Sequence, residues 1–184
     1  AVGGIALSEG RVGAGGFHFD GVDDALRIAD AEALDFGTGD SFTLEAWIRV
    51  PQGAPDALAV MGKAVSTGET LTGYVLSLAE GFPAMDIGDG NTAARWLIGS
   101  TGRVFQDLRD GRWHHLAIIV DQAASTRVQG WVDGEAWGSS TPSPLLDSLA
   151  TDAALLIGGP LPGRAEAPFV GDLDEVVIHR GMMS

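Results

Sequence analysis

The chain has 184 residues, 45% of them hydrophobic, and contains no cysteine. This length supports one domain with a single buried core, and the absence of thiols excludes disulfide bonds and cysteine-ligated zinc. The 25 acidic and 11 basic residues give a formal net charge of −14, which disfavours nucleic acid and anionic membrane surfaces as partners. The same acidity favours divalent cations, because hard cations take oxygen ligands.

The N-terminal stretch AVGGIALSEG has no charged n-region and no apolar h-region, so it does not predict a signal peptide. No apolar run approaches the roughly 20 residues that cross a bilayer, so membrane insertion is not expected. The chain begins without Met. This beginning indicates a mature chain or a domain taken from a longer protein.

The first half of the chain predicts short strands and one helical turn. Strands are expected at residues 16–20, 25–28, 41–50, 57–63, 73–79 and 84–88. Within 41–50 alternate side chains are apolar, which predicts a half-buried strand whose polar face carries Trp47. Residues 30–34 predict a single helical turn with Asp30 as its N-cap.

The second half continues this pattern, with longer loops at 138–152 and 158–169. Strands are expected at residues 112–120, 127–134, 154–159 and 173–179. From Leu116 onward the first of these is apolar on both faces, which predicts a central strand, and Trp113 is expected in the core. Many short strands joined by glycine and Asp-Gly turns predict an all-β fold, a two-sheet antiparallel β-sandwich of the jelly-roll type.

The order of these segments resembles the laminin-G-like, or concanavalin A-like, lectin domain family. The motifs that carry the resemblance are FHFDGVDDALRI, FGTGDSFTLEAWIRV, GYVLSLAEG, DGRWHHLAIIVD, GWVDGE, LLIGG and FVGDLDEVVIHRGMMS. They extend from about Phe17 to Met183, so we interpret residues 1–184 as one domain with a core of about 17–183.

The resemblance implies two curved antiparallel sheets, with ligands bound on the concave face or at the rim loops. It also implies an accessory module of a secreted or cell-surface protein. Such modules bind carbohydrate, or sometimes protein, and commonly hold calcium.

The resemblance further implies a calcium site where the N-terminal strand, the start of the next long strand and the last strand meet. By motif, the ligands correspond to Asp20, Gly39, Asp40 and Asp174, with Asp40 or the carbonyl of Gly39 contributing from the GTGD turn. Calcium takes about six to eight oxygen ligands, so two or three side chains with carbonyls and water suffice. Turn formation is the alternative role for Asp20 and Asp40, because aspartate caps backbone donors in turns.

A second acidic group lies in DIGDGN, where Asp86, Asp89 and Asn91 surround one predicted turn. Their oxygens are candidates for a second calcium at the rim, the kind of ion through which calcium-dependent lectins bind sugar hydroxyls. Trp96, just downstream, is the candidate for stacking on a sugar ring. The alternatives are a plain hairpin turn and buried packing of the tryptophan.

Glycoside hydrolases of the same jelly roll place two glutamates and an aspartate on one strand, because retaining cleavage needs two carboxyl groups about 5–5.5 Å apart. That triad is absent here. In the last strand, Asp172 and Asp174 share a face and Glu175 points away, and Asp172 and Glu175 are expected to be solvated. We therefore predict a noncatalytic, calcium-binding, carbohydrate-binding module of a secreted or cell-surface protein such as an adhesin. A protein-interaction or structural spacer domain with a structural calcium is the alternative.

Overall fold

The computed structural model describes residues 1–68, 70–97, 106–140 and 144–182. Met183, the end of the predicted core, lies outside them. The described chain forms two antiparallel sheets, which confirms the predicted β-sandwich. Its strands are β1 (Ala6–Ser8), β2 (Gly16–Asp20), β3 (Leu26–Ile28), β4 (Phe42–Arg49), β5 (Ala57–Thr67), β6 (Thr70–Ala79), β7 (Phe82–Asp89), β8 (Ala93–Leu97), β9 (Trp113–Asp121), β10 (Arg127–Val132), β11 (Glu135–Ser139), β12 (Leu155–Ile157) and β13 (Val170–Arg180).

The chain passes between the two sheets several times. The seven-stranded sheet has the order β1-β2-β13-β4-β9-β10-β11, and the six-stranded sheet has the order β3-β12-β5-β6-β7-β8. Strands β5 to β8 follow one another as a meander, whereas β13 lies between β2 and β4. Strand β9 pairs with β4 and β10, so the prediction of a central strand is confirmed.

Alternation along β4 builds one wall of the core. Phe42, Leu44 and Ile48 have no exposed surface, as the period-two pattern predicts. The Phe42 ring stacks on Phe36, with ring centroids 4.1 Å apart. Tyr74 of β6 packs against both rings. Because these side chains face inward, the alternate residues of β4 are directed to the outer face of the sheet.

Helical structure within the described residues is one 3₁₀ turn, Glu32–Leu34, and none of it is long and apolar enough to cross a membrane. The predicted N-cap is wrong: Ala31 precedes the turn and makes no side-chain cap. Asp30 instead pairs with the buried ammonium of Lys63, at 2.8 Å. Burial opposes the charge of Lys63, but Asp30 and Asp35 outweigh it and raise the pKa of the ammonium.

Candidate functional site

The residues predicted to share a calcium ion lie along the length of β13. Asp20 is opposite Val170 at the start of this strand, whereas Asp40 forms an ion pair with Arg180 at its end. Ten steps of about 3.3 Å put these two ends roughly 30 Å apart. Asp174 lies between them. The structure therefore does not bring together the four predicted ligands, Asp20, Gly39, Asp40 and Asp174.

Asp174 holds the N-terminal loop through backbone donors. Its Oδ2 accepts hydrogen bonds from the N–H groups of Arg11 and Val12, at 2.7 and 2.8 Å, and its Oδ1 accepts one from Glu175 at 2.8 Å. These three N–H groups take three of the roughly four lone-pair positions of the carboxylate and place positive partial charge around it, which disfavours a cation there. The last strand thus contacts the N-terminal region through a buried carboxylate bound to backbone donors.

Asp20 and Asp40 each cap a turn, which is the alternative role that the sequence left open. Asp20 Oδ1 accepts from the N–H of Val22, and Asp40 Oδ2 accepts from the N–H of Gly37, both at 2.8 Å. Asp20 also lies in a group with Asp23 and Asp24, whose carboxylate oxygens are within 4.8 Å of one another. Sequence reasoning missed the latter two, although the adjacent acids of FDGVDD were the available signal.

The second predicted set of ligand-binding residues does not form one site either. Asp86 lies inside β7, is 4% exposed and pairs with Arg164 and Arg95 on the outer face of the six-stranded sheet. Burial raises the pKa of Asp86, and the two guanidiniums only partly oppose this. Asp86 is therefore part of an internal ion-pair network, because its position in the strand places it under residues 158–169 and not at a rim.

Asp89 is the residue of this set that forms the turn. Its Oδ1 accepts from the N–H groups of Asn91 and Thr92, at 2.9 and 2.6 Å, and its Oδ2 accepts from Asp147 at 3.0 Å. Trp96 is partly buried and packs against the core, as the alternative interpretation expects. The four predicted ligand-binding residues therefore do not surround one site.

An open cleft of about 460 Å³ lies on the outer face of the seven-stranded sheet. Strands β4 and β9 position its side chains, because their register pairs Trp47 with His115 and Arg49 with Trp113. Paired residues of antiparallel strands project to the same face. The cleft is lined by Arg11, Trp47, Trp113, His115, Asp133 and Gly134.

Trp113 lies in this cleft and not in the core, which corrects the prediction. The guanidinium of Arg49 lies 4.9 Å from the centre of its ring, and Nε of Arg49 donates to Asp172 Oδ2 at 2.9 Å. Asp172 Oδ1 lies 3.0 Å from Nδ1 of His18. Asp172 is only 7% exposed, so its predicted solvation is wrong. Glu175 is exposed, as predicted.

Arg11 supplies a charged wall of the cleft. Its guanidinium lies 4.8 Å from the centre of the Trp47 ring, and within the described residues no carboxylate forms an ion pair with it. The His115 ring lies 5.1 Å from the same tryptophan. The cleft thus combines aromatic rings with hydrogen-bond donors. Sequence reasoning missed Arg11, because it belongs to a loop without a periodic pattern.

Solved structures share this architecture. The binding domain of Paraclostridial Mosquitocidal Protein 1 has a TM-score of 0.70 and 16% identity, over 98% of this chain and 43% of that one. Mouse laminin α1 domains LG4-5 have a TM-score of 0.59 and 16% identity, over 89% of this chain and 40% of that one. The Ruminococcus gnavus IT-sialidase CBM40, bound to α2,3-sialyllactose, has a TM-score of 0.60 and 12% identity, over 88% of this chain and 91% of that one.

The chain spans less than half the length of the first two structures, and identities this low show a common fold alone. No curated protein matches the chain in sequence. The family model described as the concanavalin A-like lectin/glucanases superfamily matches residues 20–184. Because that match covers most of the chain and the two sheets have the laminin-G-like arrangement, the chain belongs to the concanavalin A-like lectin/glucanases superfamily.

Proposed function

We propose that this domain is a noncatalytic carbohydrate-binding module of a secreted or cell-surface protein, such as an adhesin or the accessory domain of a polysaccharide-degrading enzyme. The observation that carries the proposal is the cleft in which Trp47 and Trp113 lie beside Arg11, which has no ion-pair partner among the described residues. A sugar ring has an apolar C–H face and a rim of hydroxyls. It therefore packs on indole rings while cationic and imidazole donors bind its oxygens.

The size of the cleft agrees with this use. Its volume of about 460 Å³ falls within the range of small-molecule sites, which is about 300–1,000 Å³. Covering about 60 Å² of tryptophan surface stabilises a complex by about 1.5 kcal/mol. Among proteins of this fold, the Ruminococcus gnavus CBM40 was solved with sialyllactose, and the mosquitocidal protein's domain is a binding domain.

The carboxylates near the cleft support binding without cleavage. The two oxygens of Glu45 lie 3.2 Å from Nε2 of His115 and 2.8 Å from Nε2 of His179. Asp172 is held by His18 and Arg49, and Asp174 by backbone N–H groups. A retaining hydrolase needs one carboxyl group that donates a proton and a second, about 5–5.5 Å away, that attacks the sugar, and the sequence lacks the strand motif that supplies such a pair. Each of these three carboxylates already has partners.

Trp47→Ala tests the sugar site. A glycan array first identifies glycans that the wild-type protein binds. The affinity of Trp47→Ala for these glycans, measured by calorimetry, should be at least about tenfold lower, because the indole ring of Trp47 no longer packs on the sugar. Trp96→Ala is the matched control, since Trp96 packs against the core elsewhere. Lost binding in Trp96→Ala with intact binding in Trp47→Ala would move the site to the β7–β8 rim. Release of reducing sugar by the wild type would contradict the noncatalytic assignment.

A protein-interaction domain is the second candidate. Leu7 of β1 pairs across the strands with Phe17 of β2, and these side chains are 82% and 40% exposed. Exposed apolar pairs on an edge strand are typical of contact surfaces. An array on which no glycan binds, with the fold intact, would favour this candidate over the sugar-binding module.

A further inference from the structure

A second cluster of charge lies in the turn between β2 and β3, and it shares no residue with the cleft. Carboxylate oxygens of Asp20, Asp23 and Asp24 lie within 4.8 Å of one another. In the described part of the chain, the ion pairs of Lys, Arg and His involve other carboxylates, and none reaches these three. Three like charges at this separation repel one another, so the turn lacks a counter-charge.

Asp24 adds an independent sign that a ligand belongs here. The residue is 2% exposed, and its Oδ2 accepts a hydrogen bond from the N–H of Asp20 at 3.0 Å. Its Oδ1 is buried and has no hydrogen-bond partner. A buried carboxylate oxygen without a partner is costly, because it has lost water and gained nothing in exchange. A cation placed beside this oxygen would provide the missing interaction.

The N-terminal segment closes one side of the cluster. Val2 and Ala25 exchange two backbone hydrogen bonds, at 2.7 and 3.0 Å. This bridge places Gly3 so close that a Cβ there would lie 2.5 Å from Asp24 Oδ1 and 2.8 Å from the carbonyl oxygen of Asp23. Gly3 also has a φ of 78°, which favours glycine. The backbone therefore approaches the unpartnered oxygen as nearly as a residue without a side chain allows.

We propose that Asp20, Asp23 and Asp24 bind one divalent cation of the calcium class. The side chains offer oxygen ligands alone, which hard cations prefer over the nitrogen and sulfur ligands of zinc or copper. Asp20 and Asp23 are exposed, so water completes the shell on their side. The ion neutralises the turn that the N-terminal segment packs against. Its role is structural, and it does not depend on whether the cleft binds sugar.

Thermal unfolding tests the site. Protein treated with EDTA and dialysed is melted alone and with excess CaCl₂ or MgCl₂. We expect calcium to raise the Tm, because an ion that binds only the folded state stabilises it by mass action. Asp24→Asn should abolish the increment while leaving the Tm of the ion-free protein unchanged or higher, because the substitution relieves repulsion. If Asp24 only supported packing and bound no ion, Asp24→Asn would instead lower the Tm of the ion-free protein.

Asp174→Asn is the matched control and should keep the calcium increment. Asp23→Asn is the second variant, because this side chain is exposed and its substitution leaves the packing intact. An increment absent from the wild type with both ions overturns the proposal. So does an increment that persists in Asp24→Asn and Asp23→Asn, or one lost only in Asp174→Asn. Glycan binding measured in EDTA keeps this result separate from the sugar site, since either can fail alone.

Discussion

The outer faces of the two sheets differ in how a loop covers them. On the six-stranded sheet, residues 158–169, the covering segment, bury Leu161 against Gly62 and insert Arg164 between Asp86 and Glu166. On the seven-stranded sheet, residues 9–13, the N-terminal loop, are held through backbone bonds to Asp174 and through Arg11 on Trp47.

This difference separates structural charge from available charge. Nε of Arg164 donates to Glu166 at 3.0 Å, and the Glu166 side chain is only 3% exposed. On the other face, Arg11 is exposed and unpaired among the described residues. Arg164 of the covering segment fixes that loop to the fold, whereas Arg11 in the open cleft is available to a ligand.

The largest effect should come from Arg164→Ala. Removing this guanidinium leaves Asp86 and Glu166 buried with only the distant, half-exposed Arg95. The free energy of unfolding should fall by about 3 kcal/mol, measured by urea denaturation. Glycan affinity should not change.

Arg49→Ala is the matched substitution on the open face. Its side chain is 34% exposed and its partner Asp172 keeps His18, so the loss should be about 0.5 kcal/mol. Equal losses in the two variants would contradict the distinction between the faces.

Asp174→Ala should have an intermediate effect. Three backbone N–H groups lose their acceptor, but Arg11 and Val12 are exposed and water replaces part of the bond. We expect about 2 kcal/mol of destabilisation. In this variant, amide hydrogen exchange in residues 9–13 should be faster than in the wild type, and exchange in the rest of the chain should change less. Glycan affinity should fall as well, because Arg11 is no longer held over Trp47; an unchanged affinity would remove Arg11 from the site.

The smallest effect concerns pH. Burial raises the pKa of Asp86, whereas at Glu166 burial is outweighed by Arg164 and the pKa is lowered. As pH falls from the ordinary carboxyl range, the Glu166 contribution to stability is lost. As pH rises from the ordinary Asp value through the raised pKa of Asp86, ionisation of this buried carboxyl costs stability. The Glu166 contribution is lost below the ordinary carboxyl range and the cost of ionising Asp86 appears above it, so the network should stabilise the fold most within that range and less on either side.

Carboxyl chemical shifts measured by NMR as a function of pH give both values directly. In Arg164→Ala the pKa of Glu166 should rise, because burial raises this pKa and the guanidinium that lowers it is gone. A Glu166 pKa that does not move in this variant would show that Arg164 does not govern it.

Strand periodicity was sufficient to predict most of the fold. The alternation of 41–50 and the apolar run from Leu116 predicted their burial correctly. The strands that were missed, β1, β8 and β11, are three to five residues long, and each lies at an edge of its sheet. Such short segments contain too few alternations to give a pattern.

The candidate site was harder to predict from the sequence than the fold was. The polar face of β4 correctly pointed to Trp47, but Arg11 and Arg164 act from loops, where tertiary contacts alone decide their neighbours. The calcium ligands were assigned by motif, and a motif conveys residue types without distances. Asp20 and Asp40 match the expected residue types, yet they lie beside opposite ends of β13.

The position of β13 has a consequence for the order of folding. Strands β5 to β8 pair with near neighbours in the chain, but His18 and Asp172 are 154 residues apart. Closing so long a loop is slow. During synthesis the seven-stranded sheet cannot be completed until β13 leaves the ribosome and enters between β2 and β4. A truncated chain that ends before Val170 would therefore lack the strand that joins β2 to β4 and the Asp174 carboxylate that holds Arg11 beside the cleft.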